Sequence, residues 1–591
     1  MCGIFTLLNN SKFDINVISD QFMKGQKRGP EFSKLETSYT NMILGFHRLA
    51  INGLNHESNQ PLVINDVILI CNGEIYNYKQ LYKYMDVKPV TDSDCEVIIH
   101  LYIKYGIEQT LTMLEGEYAF ILCDNRNIQD DESDKQLYVA RDQYGVRPLY
   151  YLKTENTPNN TLYGFASELK CLEYFYNNDC DYIQHSINQF EPGTYSVFNL
   201  TLLSLEDLTI EDEDSQKYEW IIEKENVPYF ISSFSHGWTI NNSINNTFIE
   251  NLFSRISIYL NAAVNKRCLT TERPIACLLS GGLDSSLIAG LVNNFYKSHN
   301  LRNKLETYSI GLEGSEDLKY AKIVADYLET NHTEIIVSED DMFNAIPEVI
   351  CAIESYDTTS VRASIGNYLL GKYISQHSEA KVIFNGDGSD ELFGGYLYMN
   401  KCPDDIEFDK ETRRLLKDIY MFDVLRSDKS ISSHGLEPRT PFLDRSFVNF
   451  ILSIPPNLRN HKNYKENSIS VEKYILRKSF TIANFKNFDG KPLLPDIILW
   501  RKKEAFSDGV SGHGRSLYQI LQEKIANLMN MNKDENVNDF IACIETEKKY
   551  YKMIFDNAYP NCEHLLPYFW MPKYTNATDP SARTLQFYSE K

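Results

Sequence analysis

A mixed α+β domain followed by an α/β domain is the fold class this sequence predicts, on three observations. The chain has 591 residues, more than one core usually organises at ~150 residues per domain. Its first 195 residues carry short strand-like runs separated by turn signals, with few helical stretches. From about residue 247, short apolar runs alternate with longer helical ones, the pattern of a parallel sheet joined by crossover helices.

Gly3–Leu8, Met42–Phe46, Val67–Cys71, Tyr118–Cys123 and Gln136–Ala140 are the strand candidates of the first domain, residues 1–195. Pro192-Gly193 marks a turn at its end. Residues 196–246 turn acidic and then Ser/Asn-rich, with Glu211-Asp212-Glu213-Asp214 the densest charge run. Such text reads as a connector or surface insertion without chemistry. The second domain, 247–591, opens with helical spacing over Thr247–Asn265. A buried strand at Pro274–Leu279, a helix at Leu287–Phe295, a strand at Leu305–Leu312, a helix at Leu318–Leu328 and a strand at Lys381–Asn385 follow. Beyond Ser446 the chain reads as mostly helical, with a polar tail after Trp570.

Composition narrows the function. Apolar residues make up 43% and charged residues 24%, so the chain buries real cores. A net charge of −22 repels phosphate backbones and anionic lipid, which argues against nucleic-acid or membrane partners. No apolar run approaches the ~20 residues of a membrane span, and Met1-Cys2-Gly3-Ile4-Phe5 lacks a signal-peptide pattern. The 12 cysteines are scattered, without C-x-x-C or His-Glu-x-x-His. A cytoplasmic protein with reduced thiols is the expectation.

Cys2 stands directly after the initiator Met. Removal of Met1 would leave a first residue bearing both a thiol and an α-amine. The thiolate is the nucleophile and the amine, with a pKa of ~8, can serve as its base. Alone, Met-Cys-Gly is most often an accidental start. Arg28-Gly29-Pro30, His47-Arg48-Leu49-Ala50-Ile51, Gln60-Pro61, Cys71-Asn72-Gly73-Glu74 and Ser93-Asp94-Cys95-Glu96 follow it in order. Taken singly, Arg48 and Asp94 would be solvated charges. Together with Cys2 and Arg141-Asp142-Gln143-Tyr144-Gly145, these motifs resemble the class II glutamine amidotransferases over the whole of 1–195.

That resemblance implies an N-terminal-nucleophile fold of αββα layers. It makes Cys2 the nucleophile and Asn72 with the Gly73 amide the oxyanion site. Arg48 would hold the glutamine α-carboxylate, with Leu49, Ala50, Ile51 and Asn52 beside it, and Glu74 and Asp94 the ammonium. The residue types suit the task, since guanidinium pairs with carboxylate and carboxylate with ammonium. Glu31 departs from the family's usual Asp.

In the second domain, Leu278-Leu279-Ser280-Gly281-Gly282-Leu283-Asp284-Ser285-Ser286 joins a strand to a helix. Glycines permit tight turns and close ligand approach, hydroxyls donate, and a helix N-terminus attracts anions. No Walker lysine is present. Ser-Gly-Gly-Leu-Asp-Ser instead resembles the pyrophosphate loop of enzymes that split ATP into AMP and pyrophosphate. Ile353-Glu354-Ser355-Tyr356-Asp357, Asn385-Gly386-Asp387-Gly388-Ser389-Asp390-Glu391, Gly435-Leu436-Glu437-Pro438-Arg439 and Arg501-Lys502-Lys503-Glu504-Ala505-Phe506 follow. Singly, Glu354 and Asp357 would cap or solvate a helix, and Glu437 and Arg439 would be a surface pair.

Behind a class II glutaminase, this series resembles the glutamine-dependent asparagine synthetases almost end to end. The resemblance implies ATP and Mg2+, with aspartate and glutamine or ammonia as further substrates, and an internal ammonia tunnel. Leu278, Ile310, Asn385 and Gly386 would contact adenine and ribose, and Ser280, Gly281, Gly282, Asp284 and Ser285 would cradle the phosphates. Asp284 and Asp390 would hold the magnesium, Lys503 would neutralise phosphate charge, and Glu354 would be the general base for ammonia. Asn385 replaces a usual Ser and Asp387 a usual Glu. An alternative is a related amide-forming ATP-dependent synthetase acting on another carboxylate. The oligomeric state stays open, a homodimer being one option.

Overall fold

The computed structural model describes all residues except 1, 127–134, 156–160, 179–183, 203–217, 231–245, 465–470, 505, 513, 533–538 and 586–591. Met1, the Glu211–Asp214 run, Ala505 and the last residues of the tail therefore lie outside the described residues. The chain forms two compact units. One comprises residues 1–231, 432–436 and 559–565, the other 232–431, 437–558 and 566–591.

The first unit holds twelve described strands: β1 Gly3–Leu8, β2 Phe32–Tyr39, β3 Met42–Arg48, β4 Leu62–Ile64, β5 Val67–Ile75, β6 Gly116–Asp124, β7 Gln136–Arg141, β8 Tyr150–Glu155, β9 Thr161–Ala166, β10 Gln184–Gln189, β11 Thr194–Leu202 and β12 Tyr218–Pro228. They form two six-stranded sheets, ordered β10-β8-β9-β1-β3-β2 and β12-β11-β7-β6-β5-β4, with antiparallel pairing throughout. Strand β5 shows why such runs are unbroken in apolar residues. Ile68 and Ile70 enter a core shared with Ile4, Leu8, Phe46 and Phe165 of the facing sheet. The alternate Leu69 and Cys71 pack with Leu81, Val97 and Leu101, from α2 (Tyr78–Met85) and α3 (Val97–Met113). Period-two alternation with both faces covered leaves no polar side to the strand.

On the outer face of the first sheet, Phe5 meets Phe22 and Phe175 at ring distances of 5.9 and 6.3 Å, from α1 (Ile15–Met23) and α4 (Glu173–Asn177). The layers therefore run helix, sheet, sheet, helix, as the resemblance implied.

The stretch read as a connector is only partly one. β12 extends the second sheet, paired with β11. Trp220 is buried in the inter-sheet core, and its backbone N–H and C=O both bond the Asn9 side chain, at 2.9 and 2.8 Å. Three exposed charged residues in a row, Glu223, Lys224 and Glu225, concealed this strand, because an edge strand buries few side chains and its alternation is weak.

The second unit carries a five-stranded parallel sheet ordered β15-β14-β13-β16-β17. The strands are β13 Ile275–Leu278, β14 Glu306–Gly311, β15 Asn331–Ile336, β16 Val382–Phe384 and β17 Glu437–Arg439. The three central ones coincide with the apolar runs of the sequence. The two edges do not: β15 is polar and partly exposed, and β17 is built from the Glu437–Arg439 motif. Glu437 and Arg439 are both wholly buried and paired at 2.8 Å, which overturns their reading as a surface pair. Helices α5 (Asn246–Leu269), α6 (Leu283–Ser298), α7 (Glu316–Leu328), α8 (Glu339–Asn344), α9 (Ile346–Ile353) and α10 (Thr358–His377) occupy the connections between strands and precede the sheet. None of the described helices is long and apolar enough to cross a membrane.

Candidate active sites

The first site forms where β1 begins and β3 and β5 end. Cys2 precedes β1, and its N–H donates to Asn72 Oδ1 at 3.1 Å. Its Sγ lies 3.8 Å from the Leu49 carbonyl. Asn72 turns one amide N–H to Ser167 Oγ at 3.3 Å, and the same hydroxyl accepts from the Ile4 N–H at 3.1 Å. Ser167 thus orients Asn72, a role the sequence did not signal. Arg28 donates to the Cys2 carbonyl at 3.1 Å and to Glu168 at 2.8 Å, which anchors the chain start. A Cβ on Gly73 would sit 2.3 Å from the Glu117 carbonyl, so only glycine lets this strand pair so closely.

Glu74 and Asp94 come together through Asn52. The Asn52 amide donates to Glu74 Oε2 and lies 3.5 Å from Asp94 Oδ1, whose other oxygen accepts from the Ile75 N–H at 2.6 Å. All three side chains are buried. Two buried carboxylates converging on one small donor form a seat for a cation. Arg48 is buried as well, and its guanidinium organises the loop that follows β3. It donates to the carbonyls of Gly53, Asn55 at 2.9 Å and Asn52 at 3.4 Å, and to Asn59 Oδ1 at 2.6 Å. Neither Arg48 nor Asp94 is a solvated charge. Glu31, the departure, accepts from the Ala50 N–H at 2.7 Å, so its longer side chain serves this same loop.

The second site is a cavity of about 200 Å³ at the carboxyl ends of β13, β14 and β16, where open parallel sheets place their ligands. Leu278, Ser280, Gly282, Asp284, Ser285, Ile310, Asn385, Gly386 and Lys503 all line it. Gly281 lies in the turn behind, at φ +69°, where a Cβ would stand 2.4 Å from the Ala321 backbone N. The Ser280 and Ser285 hydroxyls meet at 3.0 Å, and the Ser280 N–H donates to Ser285 Oγ at 3.2 Å. Asp284 stands in the first turn of α6.

Across the cavity two carboxylates and two ammonium groups interlock. Lys473 lies 2.6 Å from Asp284 and 2.7 Å from Asp390; Lys503 lies 2.6 Å from Asp390 and 3.7 Å from Asp284. Ser389 donates to Asp284 at 2.8 Å. Burial pushes the Asp390 carboxyl upward, but Lys473 and Lys503 overcome it and hold it well below the usual range. Burial works against the Lys503 charge, and Asp390 and Asp284 more than restore it. Asp284 and Asp390 are a donor set of the kind that suits Mg2+, which characteristically takes one or two carboxylates and fills its shell from substrate and water. Lys473 was missed in the sequence because nothing in its local spacing marks it; it reaches Asp284 across 189 positions of chain.

Further along the same cavity lie Asp387, Glu391, Asp423 and Arg426. Burial, then Asp423 and Asp390, push the Glu391 carboxyl well up. Asn385, the first departure, donates to Ser427 at 2.6 Å, and Asp387, the second, lies 3.4 Å from Arg426.

Glu354 is not among the residues lining this cavity. It ends α9 in the left-handed region at φ +55°, and its carboxylate is fully buried against the Lys429 ammonium. Asp357 does line the cavity and also caps α10, accepting from the Ser360 N–H at 2.8 Å. Its other oxygen accepts from the Trp570 N–H at 2.8 Å.

Known families match both units. The glutamine amidotransferase domain family matches residues 1–200, and the asparagine synthase family matches 255–406 and 400–564. Glutamine-hydrolysing asparagine synthetases from Gallus gallus and Homo sapiens are each 38% identical, over 608 and 605 aligned residues. Each alignment covers 100% of this chain and 99% of the relative. With both domains matched and the similarity running end to end, the chain belongs to the family of glutamine-hydrolysing asparagine synthetases.

Proposed function

We propose that this chain makes asparagine from aspartate, glutamine and ATP, releasing glutamate, AMP and pyrophosphate. The observation that carries this reading is the coexistence in one chain of the Cys2–Asn72 site and the Asp284–Asp390 cavity.

In the first half-reaction the Cys2 thiolate attacks the glutamine side-chain carbonyl. Asn72 and the Gly73 N–H receive the oxyanion, ammonia leaves, and water releases glutamate from the thioester. Glu74 and Asp94 take the ammonium end of glutamine, and Arg48 serves the carboxylate end. Removal of Met1 frees the Cys2 amine to act as the base.

In the second, an oxygen of the aspartate β-carboxylate attacks the α-phosphorus of ATP and pyrophosphate leaves, giving the acyl-adenylate. A free carboxylate is too poor an electrophile for ammonia, and the adenylate corrects this. Leu278, Ile310, Asn385 and Gly386 receive the nucleoside, while Ser280 through Ser285 face the phosphates. Asp284 and Asp390 would hold Mg2+ there; when bound it supplies positive charge to the departing pyrophosphate. Lys503, and Lys473 beside it, add to that charge. Ammonia then attacks the acyl carbon, AMP leaves, and the surplus proton of the attacking nitrogen passes to a general base, the role assigned to Glu354.

We also propose a cytoplasmic location, the expectation from a sequence whose scattered cysteines show no disulfide framework. The deciding assay supplies aspartate, 15N-amide glutamine and MgATP. Asparagine heavier by one unit, with stoichiometric AMP, supports the reading. Label in the amide of another carboxylate would point to a related synthetase, and no label transfer would overturn it.

A further inference from the structure

The tail beyond Trp570 is polar in sequence, and its residues 579–584 are tied to the loop that carries Lys503. Arg583 is the hub. Its Nε donates to Glu504 Oε1 at 3.0 Å, and its Nη1 donates to the Gly512 carbonyl at 3.0 Å and to the Ser511 and Ser516 hydroxyls at 3.3 Å. Two further ties hold the segment down. Ser581 donates to Asp508 at 2.7 Å. Asp579 receives both Nη groups of Arg362, at 2.7 and 2.8 Å, while Arg362 also grips Glu547 at 2.8 Å.

Residues 501–504 have no regular secondary structure, so no backbone ladder fixes them. They are held instead at their two ends. Arg501 donates to the Ser280 carbonyl at 3.4 Å and to Asp317 at 3.2 Å, with its guanidinium 4.0 Å from the Tyr320 ring. Glu504 is held by Arg583. Lys503, between them, reaches Asp390. The Glu504 and Arg583 side chains are only 14% and 7% exposed, so this pair escapes the screening that makes surface ion pairs weak. Lysine has a flexible four-carbon stem, and its placement depends on its backbone. A displacement of ~1 Å in a charged catalytic group can cost on the order of 10²-fold in rate.

We propose that the segment Asp579–Thr584 is a positioning strap for the synthetase site, in which Arg583, acting through Glu504, sets where the Lys503 ammonium stands at the phosphates. Arg583 touches no reacting atom and is a positioning residue. The proposal deepens the reading above and rests on Lys503 as a phosphate-facing group.

The test is a mutant cycle on the full chain, reading pyrophosphate release with aspartate, MgATP and ammonia. Arg583→Ala is expected to lower kcat for that release by about 10²-fold, with a smaller change in KM for ATP. Glutamine hydrolysis by the same preparation should stay at its wild-type value. In a Lys503→Ala background, Arg583→Ala should have no further effect. Glu504→Gln, which removes the partner charge without touching the tail, should reproduce the loss and covers the case in which Arg583→Ala fails to fold. Unchanged pyrophosphate release in Arg583→Ala or in Glu504→Gln overturns the strap. So does a double mutant whose losses multiply, since Arg583 would then act elsewhere than through Lys503. If Lys503→Ala alone changes nothing, the role given to Lys503 fails, and the strap with it.

Discussion

Glu354 is the residue whose surroundings most constrain its chemistry. A general base must be ionised, and a carboxylate wholly out of water needs a countercharge, which Lys429 supplies. Glu354→Gln keeps shape and hydrogen bonding but removes the carboxylate charge that faces Lys429. The variant should therefore melt at lower temperature, by ~3 kcal/mol or more of stability. It should still release pyrophosphate while making ~10²–10⁴-fold less asparagine; pyrophosphate chemistry lost along with asparagine would assign Glu354 to the nucleotide site instead. Asp317 gives a second test at this scale. Burial pushes its carboxyl up to about 7, against the pull of Arg501. The folded state thus keeps a proton that the unfolded chain releases near 3.8. Stability from this group is present below about 3.8 and is lost as pH rises toward about 7. Denaturant midpoints at pH 5 and pH 7.5 should show the wild type losing ground to Asp317→Asn as pH rises; parallel behaviour would contradict the raised carboxyl.

At the scale of the element, the turn from β13 into α6 shapes the second cavity, the proposed seat of the nucleotide. Gly281 adopts φ +69° with the backbone of α7 pressed against it. Alanine there would meet both a disfavoured dihedral and a 2.4 Å contact with the Ala321 nitrogen, which is backbone and cannot swing away. Gly281→Ala should raise KM for ATP at least about tenfold, ~1.4 kcal/mol in the binding equilibrium, and leave glutamine hydrolysis unaffected. Titration of ATP binding by calorimetry reads this directly, and wild-type affinity would show that the turn has room to relax.

At the scale of the whole molecule, each unit builds its own site from its own strands. Losses should therefore be separable. Cys2→Ala should abolish glutamine-dependent asparagine synthesis and retain ammonia-dependent synthesis, because no described contact of Asp284 or Lys503 involves the β1 end. Asp284→Asn should do the reverse, hydrolysing glutamine without releasing pyrophosphate. Measuring glutamate, pyrophosphate and asparagine together in both variants settles the point; glutamine-driven synthesis persisting in Cys2→Ala would remove Cys2 from the mechanism.

The sequence by itself determined the two-domain order, the parallel sheet class of the second domain, the family resemblance and many of the residues that line the two candidate sites. It could do so because these features are local: β5 and β13 announce themselves by continuous apolar runs, and Asn72-Gly73 or Ser280–Ser285 carry their chemistry within a few positions. Tertiary structure alone decided what depends on distant partners. β12 and β17 became strands because neighbours offered hydrogen bonds and buried faces, not because their own text favoured it. Lys473 enters the Asp284–Asp390 cavity, Lys429 pairs Glu354, and Arg583 grips Glu504 across chain separations no local pattern encodes. Charged residues look alike in sequence whether they are solvated or buried in pairs. Only the fold removes the water and so decides which of them act.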